Sequence, residues 1–200
     1  MSDIKETINY INSLLTASTG SFAGKPFQKG TFNGIAEQHK KTAEEEEDEY
    51  LIPMIMDSDS TDGTEVVIDD TYPFQLYHRI VGQKSEDATN EDTFGDGDEK
   101  SIIFEMVLII FADRFNTALD ADEYITALML DIPKTIKASQ VTSSQFSKCE
   151  ITFTDTITNV DEVLSQEYGS KGFEIKQSYV ALSFGYELKL TYSKGCFTLC

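Results

Sequence analysis

The chain is poor in basic residues, in histidine and in cysteine. Its 16 lysines and arginines stand against 35 acidic residues, and its formal net charge is −19 at pH 7. Binding to nucleic-acid phosphates or to anionic lipid depends on basic groups and counterion release, so we expect no tight binding to nucleic acid or to a membrane surface. The longest apolar run, 106–112, is far shorter than a membrane span. Proteins, or weakly held cations, are the expected partners.

The few histidines and cysteines leave little material for a metal centre or a nucleophilic site. A structural metal site needs about four ligands, whereas Cys149 lies far along the chain from Cys196 and Cys200 and only two histidines can help. A nucleophile also needs a positioned base, but His39 lies in a predicted charged loop and His78 in a predicted strand, as a packed or partly exposed residue. Motifs for a serine elbow or a phosphate-binding loop are missing. We therefore predict a protein without catalytic, cofactor-binding or metal-binding residues.

The negative charge is concentrated in two stretches, 37–70 and 83–100. Together they hold 20 acidic residues and four lysines, so the remaining 148 residues form a nearly neutral scaffold. The densest run of carboxylates consists of Glu44, Glu45, Glu46, Glu47, Asp48 and Glu49. Two interpretations stay open at this point. The acids are either solvated loops or a surface that repels phosphates over a Debye length of about 8–10 Å.

The N-terminal region predicts a helix followed by an arm. Asp3 and Glu6 have the spacing of a capping box, and apolar residues at steps of three and four predict an amphipathic helix over 3–17. Glycines then interrupt any regular element over 18–34, and with the acidic run this gives a flexible arm over 18–49. The arm carries three aromatic residues, Phe22, Phe27 and Phe32. They either pack locally or contact a neighbouring subunit.

The rest of the chain alternates between strand and helix patterns. The apolar run at 101–113 predicts a central strand covered on both faces. Asp120 and Glu123 predict a helix start, and Pro133 is expected to break that helix into two pieces. The remaining predicted elements are strands at 50–56, 66–68, 72–81 and 149–157, a loop over 82–100, a short helix at 161–168 ended by Gly169, and two strand lengths over 173–192 that bend at Gly185. The sequence thus predicts one α+β domain over 1–200, with a mainly antiparallel sheet, helices packed on it and an acidic loop at 82–100.

This order of elements, closed by the strand Val-Ala-Leu-Ser-Phe-Gly-Tyr-Glu-Leu-Lys-Leu-Thr-Tyr at 180–192, resembles the tail-terminator and tail-completion proteins of tailed bacteriophages. About two-thirds of the chain takes part, and the two acidic stretches are additions to the compact plan of that family. The resemblance implies a non-catalytic virion subunit, made in the host cytoplasm, that forms a homo-oligomeric ring in the head–tail connector or tail region. Portal or tail subunits would be its neighbours, and no cofactor is implied.

A second hypothesis belongs to a different class. The acids of an intracellular adaptor or DNA-mimic inhibitor would occupy a basic groove of a partner protein. Such mimicry needs charges at regular spacing on rigid elements, whereas these acids lie among glycine, serine and threonine. The structural subunit is therefore the preferred interpretation. A lumen-facing acidic surface fits it, because a channel that passes DNA must not bind DNA.

Overall fold

A computed structural model describes residues 2–17, 31–42, 49–55, 63–69, 74–87, 100–114, 120–137, 146–169 and 178–192. The described elements are α1 (Ser2–Ala17), β1 (Thr31–Thr42), β2 (Glu49–Ile55), β3 (Thr64–Glu65), β4 (Phe74–Asp87), β5 (Lys100–Asp113), α2 (Ala121–Lys137), β6 (Lys148–Ile157), α3 (Val160–Tyr168) and β7 (Tyr179–Tyr192). The strands form one sheet in the order β3-β2-β1-β4-β5-β7-β6. Neighbouring strands are antiparallel except for β1 and β4, which are parallel. The predicted α+β fold with a mainly antiparallel sheet is confirmed.

Strand β5 lies inside the sheet and is buried on both faces. It pairs with β4 on one side and with β7 along its whole length on the other. Leu108 and Ile110 belong to the apolar cluster under α1 and α2, whereas Ile109 and Phe111 belong to the cluster under α3. All four side chains are at most 1% exposed. The prediction of a central strand covered on both faces is confirmed.

Helices α1 and α2 cover one face of the sheet. Both present apolar residues at helical spacing, all at most 2% exposed: Ile4, Ile8, Ile11 and Leu15 on α1, and Tyr124, Leu128, Ile132 and Ile136 on α2. The predicted capping box of α2 is present. The backbone N–H of Glu123 donates to Asp120 Oδ1 at 2.9 Å, and the N–H of Asp120 donates to Glu123 Oε2 at 3.2 Å. Each side chain satisfies a backbone donor of the other residue, which fixes where the helix begins.

The predicted break at Pro133 is wrong, because α2 continues through this proline to Lys137. A proline inside a helix lacks an N–H and crowds the carbonyl one turn earlier, which normally costs about 3 kcal/mol. Here Ile132 and Ile136, on either side of it, are 0% and 1% exposed against the sheet. Burial of an isoleucine side chain contributes about 1.5–3 kcal/mol, so the tertiary packing holds the last turn in place.

Helix α3 covers part of the opposite face. Its N-cap is Asn159, whose side-chain oxygen accepts a hydrogen bond from the N–H of Glu162 at 3.1 Å. It ends at Gly169, which has a φ of 74°, so the predicted C-terminal glycine is confirmed. A left-handed backbone of this kind favours glycine because a Cβ there is strained. Val163 and Tyr168 are both 0% exposed and face the sheet.

Two predicted loop regions are in part strand. The arm over 18–49 is wrong for 31–42, which form β1, because pairing to β2 and β4 outweighs the low strand preference of this charged segment. The loop over 82–100 is wrong at both ends, since β4 continues until Asp87 pairs with Lys100. Residues 18–30, 43–48 and 88–99 lie outside the described part of the chain. The strand predicted at 66–68 is also wrong, because β3 is the two residues before it.

Strand β7 runs unbroken through Gly185, contrary to the predicted bend. The irregularity lies on the neighbouring strand β6, between Phe153 and Asp155. A Cβ placed on Gly185 would collide with the carboxylate of Asp155 and would come within 2.7 Å of Thr154 Oγ1. The glycine therefore leaves room for the exposed side chain of Asp155 and does not mark a bend.

Replacement of Gly185 with alanine is expected to lower the free energy of unfolding by about 1 kcal/mol, the low end of the range for overpacking, because the exposed side chain of Asp155 can rotate away. The physical reason is that the carboxylate of Asp155 must move. Chemical denaturation followed by far-ultraviolet circular dichroism measures the effect. The matched control is the double variant Gly185→Ala with Asp155→Ala, which should recover part of the loss. A Gly185→Ala protein as stable as the parent would contradict this account.

Candidate functional site

The two densest acidic segments connect strands at the same end of the sheet. Residues 43–48 join the end of β1 to the start of β2, and 88–99 join the end of β4 to the start of β5. Because β1 and β4 run parallel, their C-terminal ends point in the same direction. Both connections therefore leave from and return to one end of the sheet. We call this the acidic end and define it by the strand ends Thr42, Glu49, Asp87 and Lys100.

The two connections carry the same excess of acidic residues, and the hairpins that they close are neighbours. Each connection carries five acidic residues and no basic residue: Glu44, Glu45, Glu46, Glu47 and Asp48 in the first, and Glu91, Asp92, Asp96, Asp98 and Glu99 in the second. The two hairpins are adjacent, in the order β2-β1-β4-β5. Where the strands pair, the midlines of the hairpins are two strand spacings apart, roughly 10 Å. This distance is about one Debye length at 0.1 M salt, over which charges are only partly screened from each other.

Lysines just inside the acidic end are already paired with carboxylates. Lys41, one residue before β1 ends, forms an ion pair with Glu65 of β3. Lys84, three residues before β4 ends, forms one with Glu105 of β5. The hydrogen bond and charge of Glu105, with a smaller effect of Glu187, raise the pKa of Lys84. These two lysines therefore do little to neutralise the acidic end.

The structure locates only part of the predicted site residues. Phe32 lies on β1 and Glu49 is the first residue of β2, and only their backbone is described. The other candidates lie outside the described residues: Phe22, Phe27, Glu44, Glu45, Glu46, Glu47 and Asp48. Contact of the three phenylalanines with another subunit, and repulsion of DNA by the six acids, therefore stay predictions.

His78 joins three elements through a buried polar network. It is 0% exposed, with Nε2 2.9 Å from Asn12 Oδ1 on α1 and Nδ1 2.8 Å from the hydroxyl of Tyr186 on β7. An amide oxygen only accepts, so with this assignment Nε2 carries the proton and Tyr186 donates to Nδ1. Burial lowers the pKa of His78 to about 3. The prediction of a packed strand residue is confirmed, since both ring nitrogens are engaged within the core.

Glu167 anchors α3 to the sheet through a second buried network, which the sequence analysis missed. This carboxylate is 1% exposed and accepts hydrogen bonds from Arg79 at 2.6 and 3.1 Å and from the hydroxyl of Tyr77 at 3.0 Å. Burial, then the charges of Tyr168 and Glu167, raise the pKa of Tyr77 well above its usual value. The available sequence signal was a glutamate on the apolar stripe of α3, next to Tyr168 and one turn after Val163.

The described residues offer little for nucleophilic or metal chemistry. Burial, with a smaller effect of Glu150, raises the pKa of Cys149 to about 11, so little of this thiol ionises at neutral pH. Within the described ranges, no group of three or more histidine, cysteine, aspartate or glutamate side chains is placed to hold a metal ion. None of α1, α2 and α3 is long and apolar enough to cross a membrane.

Comparisons with models of known protein families and with curated proteins find no match. The topology of the sheet and the distribution of charge are therefore the features that bear on function. The acidic end is the feature that combines them, since the parallel pairing of β1 and β4 brings the strand ends that flank two separate acidic segments to one end of the sheet.

Proposed function

We propose that the protein is a non-catalytic structural subunit of a bacteriophage virion. It forms a ring in the head–tail connector or tail region and contacts portal or tail subunits. The acidic end faces the channel through which DNA passes, and its carboxylates keep the DNA from binding to the wall. The protein is made in the host cytoplasm and functions in the virion.

The observation that carries this proposal is that the strand ends flanking both acidic connections lie at one end of the sheet. Dispersed surface charge would give each subunit a general negative potential. Ten acids in two connections that leave from and return to one end instead give the charge a direction, so that identical subunits in a ring with these ends inward form a continuous negative wall. DNA phosphates are repelled by such a wall and remain mobile within it.

The order of elements gives further support. The elements behind the resemblance to tail-terminator and tail-completion proteins occur in the expected order as α1, β4, β5, α2 and β7. The proposal needs no catalytic group. It accords with a histidine whose two ring nitrogens are both occupied and with a cysteine whose pKa is raised.

Neutralising the acidic residues at 44–49 is expected to make DNA bind to the assembled ring. In the test variant, the glutamates at 44–47 and 49 become glutamine and Asp48 becomes asparagine. The fold should remain stable, because a run of adjacent charges of one sign repels itself and contributes little to stability. DNA should be retained by the assembled ring, and its delivery from particles should slow, more at low salt than at high salt. Filter retention of DNA and delivery rates over a salt series measure both effects.

The matched control changes six exposed acids elsewhere to their amides: Glu6, Glu37, Asp69, Asp122, Glu150 and Asp161. It removes the same net charge but leaves the acidic end intact, so DNA delivery should resemble that of the parent. Unaltered delivery by the test variant at every salt concentration would show that the acids at 44–49 are only a solvated surface. Equal effects in both variants would show that net charge, rather than the acidic end, is responsible.

A further inference from the structure

The outer edge of strand β6 is open along its first half. This strand pairs with β7 on one side, and no strand among the described residues pairs with its other side. The pairing with β7 is regular from Lys148 to Phe153, where the irregularity begins. Backbone N–H and C=O groups at such an edge can bind a further strand. The sheet can therefore be extended at this edge.

The exposed side chains of this edge carry opposite charges in a fixed order. Lys148 and Glu150 point to the same face, have side chains that are 62% and 45% exposed, and lie 2.9 Å apart between Nζ and Oε1. Cys149 and Ile151 point to the other face, towards the apolar cluster under α1 and α2. Charges on an edge strand normally prevent pairing with unrelated strands. A strand that carries the complementary charges avoids this penalty.

The strand with the complementary charges is β6 of a second copy. Antiparallel pairing reverses the order of the residues, so a lysine followed two positions later by a glutamate matches the same pair in another copy. With a twofold axis at Cys149, each Lys148 faces Glu150 of the other copy, and the four charges alternate. Opposite charges that face each other across two strands stabilise the pairing, whereas like charges destabilise it.

The same charges disfavour the neighbouring registers. With the axis at Glu150, this residue would face Glu150 of the other copy, and two like charges would lie opposite each other. With the axis at Ile151, both charged residues would face threonines of the other copy and gain no partner. The charge pattern therefore selects the register that is centred on Cys149.

We propose that β6 pairs antiparallel with β6 of a second copy around Cys149, so that the free protein forms a symmetric dimer. The contact is isologous, because the same edge is used by both copies, and it closes this edge to further strands. Antiparallel pairing turns the acidic ends of the two copies in opposite directions. The dimer contact therefore differs from the contacts of the proposed ring and goes beyond the proposed function.

Charge reversal tests the contact. Glu150→Lys alone places lysines opposite each other, and Lys148→Glu alone places glutamates opposite each other. Each variant should raise the dissociation constant of the dimer about tenfold, a change of about 1.4 kcal/mol. An equimolar mixture of the two variants should dimerise at least as tightly as the parent, because two lysines of one chain then face two glutamates of the other.

Sedimentation equilibrium measures these dissociation constants, and circular dichroism checks that each variant is folded. The matched control is Glu162→Lys, at an exposed position of α3, which changes the net charge as Glu150→Lys does. This control should retain the dissociation constant of the parent, since α3 is not part of the contact.

Disulfide cross-linking tests the register. In a background with Cys149, Cys196 and Cys200 replaced by serine, one protein carries Lys148→Cys and the other carries Glu150→Cys. In the mixture the two new thiols face each other at a separation that a disulfide can span, and one ion pair remains beside them. Mild oxidation should therefore give a linked dimer from the mixture and little from either protein alone, as judged on a non-reducing gel.

The outcomes separate this inference from the proposed function. A parent protein that stays monomeric at every concentration before it assembles, but forms rings that deliver DNA, overturns the dimer and leaves the proposed function. A dimer that is unaffected by both charge reversals, or a mixture that gives no cross-link, overturns the β6 contact. A dimer with the expected responses, in a protein whose DNA delivery ignores neutralisation of residues 44–49, supports the contact and overturns the channel role.

Discussion

Replacing Glu167 with alanine is expected to lower the free energy of unfolding by about 3–5 kcal/mol, the usual cost of leaving a buried charge without its partner. Arg79, whose side chain is 14% exposed, donates two hydrogen bonds to this carboxylate, and the hydroxyl of Tyr77 donates a third. Without the carboxylate, a guanidinium remains in a region with little water. Urea denaturation followed by far-ultraviolet circular dichroism measures the loss.

Two further variants identify the cause. Ser165→Ala, at an exposed position of the same helix, should change stability by less than about 0.5 kcal/mol. Replacing both partners with apolar residues, Glu167→Leu with Arg79→Met, should recover most of the loss, because no unpaired charge then remains. A double variant as unstable as Glu167→Ala would show that shape, rather than the unpaired charge, explains the effect.

The second large effect is a loss of stability in mild acid caused by His78. Burial holds its pKa near 3 in the folded protein, whereas the unfolded chain has the ordinary value of about 6.5. Above pH 6.5 both states are neutral at this residue, and its contribution to stability is fully present. Below pH 6.5 the unfolded state binds a proton that the folded state does not bind, so stability falls as the pH falls towards 3. The slope is about 1.4 kcal/mol per pH unit, which gives about 2 kcal/mol between pH 7 and pH 5.

Unfolding free energies at pH 7 and pH 5 check this prediction. His78→Gln should be less stable than the parent at pH 7, because Asn12 and Tyr186 lose a matched partner, but its stability should change little between the two pH values. His39→Gln, which changes the other histidine, should keep the dependence of the parent. A parent protein equally stable at pH 5 and pH 7 would contradict the burial argument.

The sequence predicted those parts of the fold where local pattern and tertiary environment agree. The apolar spacing of α1, the capping box at Asp120 and the continuous apolar run of β5 each identify an element and its buried side. Predictions were wrong where packing outweighs local preference. Pro133 lies inside a helix held by buried neighbours, and residues 31–42 form a strand because partners lie on both sides.

The sequence predicted which residues make up the candidate site, but not where the fold places them. Acidic runs are visible in the sequence, but their position at one end depends on the parallel pairing of β1 with β4, which no local pattern contains. The networks around His78 and Glu167 join residues that are 66 to 108 positions apart. The identities of such partners follow from tertiary structure, although a glutamate on an apolar stripe signals that some partner exists.

The parallel junction of β1 with β4 also bears on how the native protein opens. Its paired positions are three, interrupted by a register shift, whereas β5 and β7 pair without interruption from end to end. Transient opening that exposes amide protons should therefore separate the β1–β2–β3 unit from the other four strands before those strands separate.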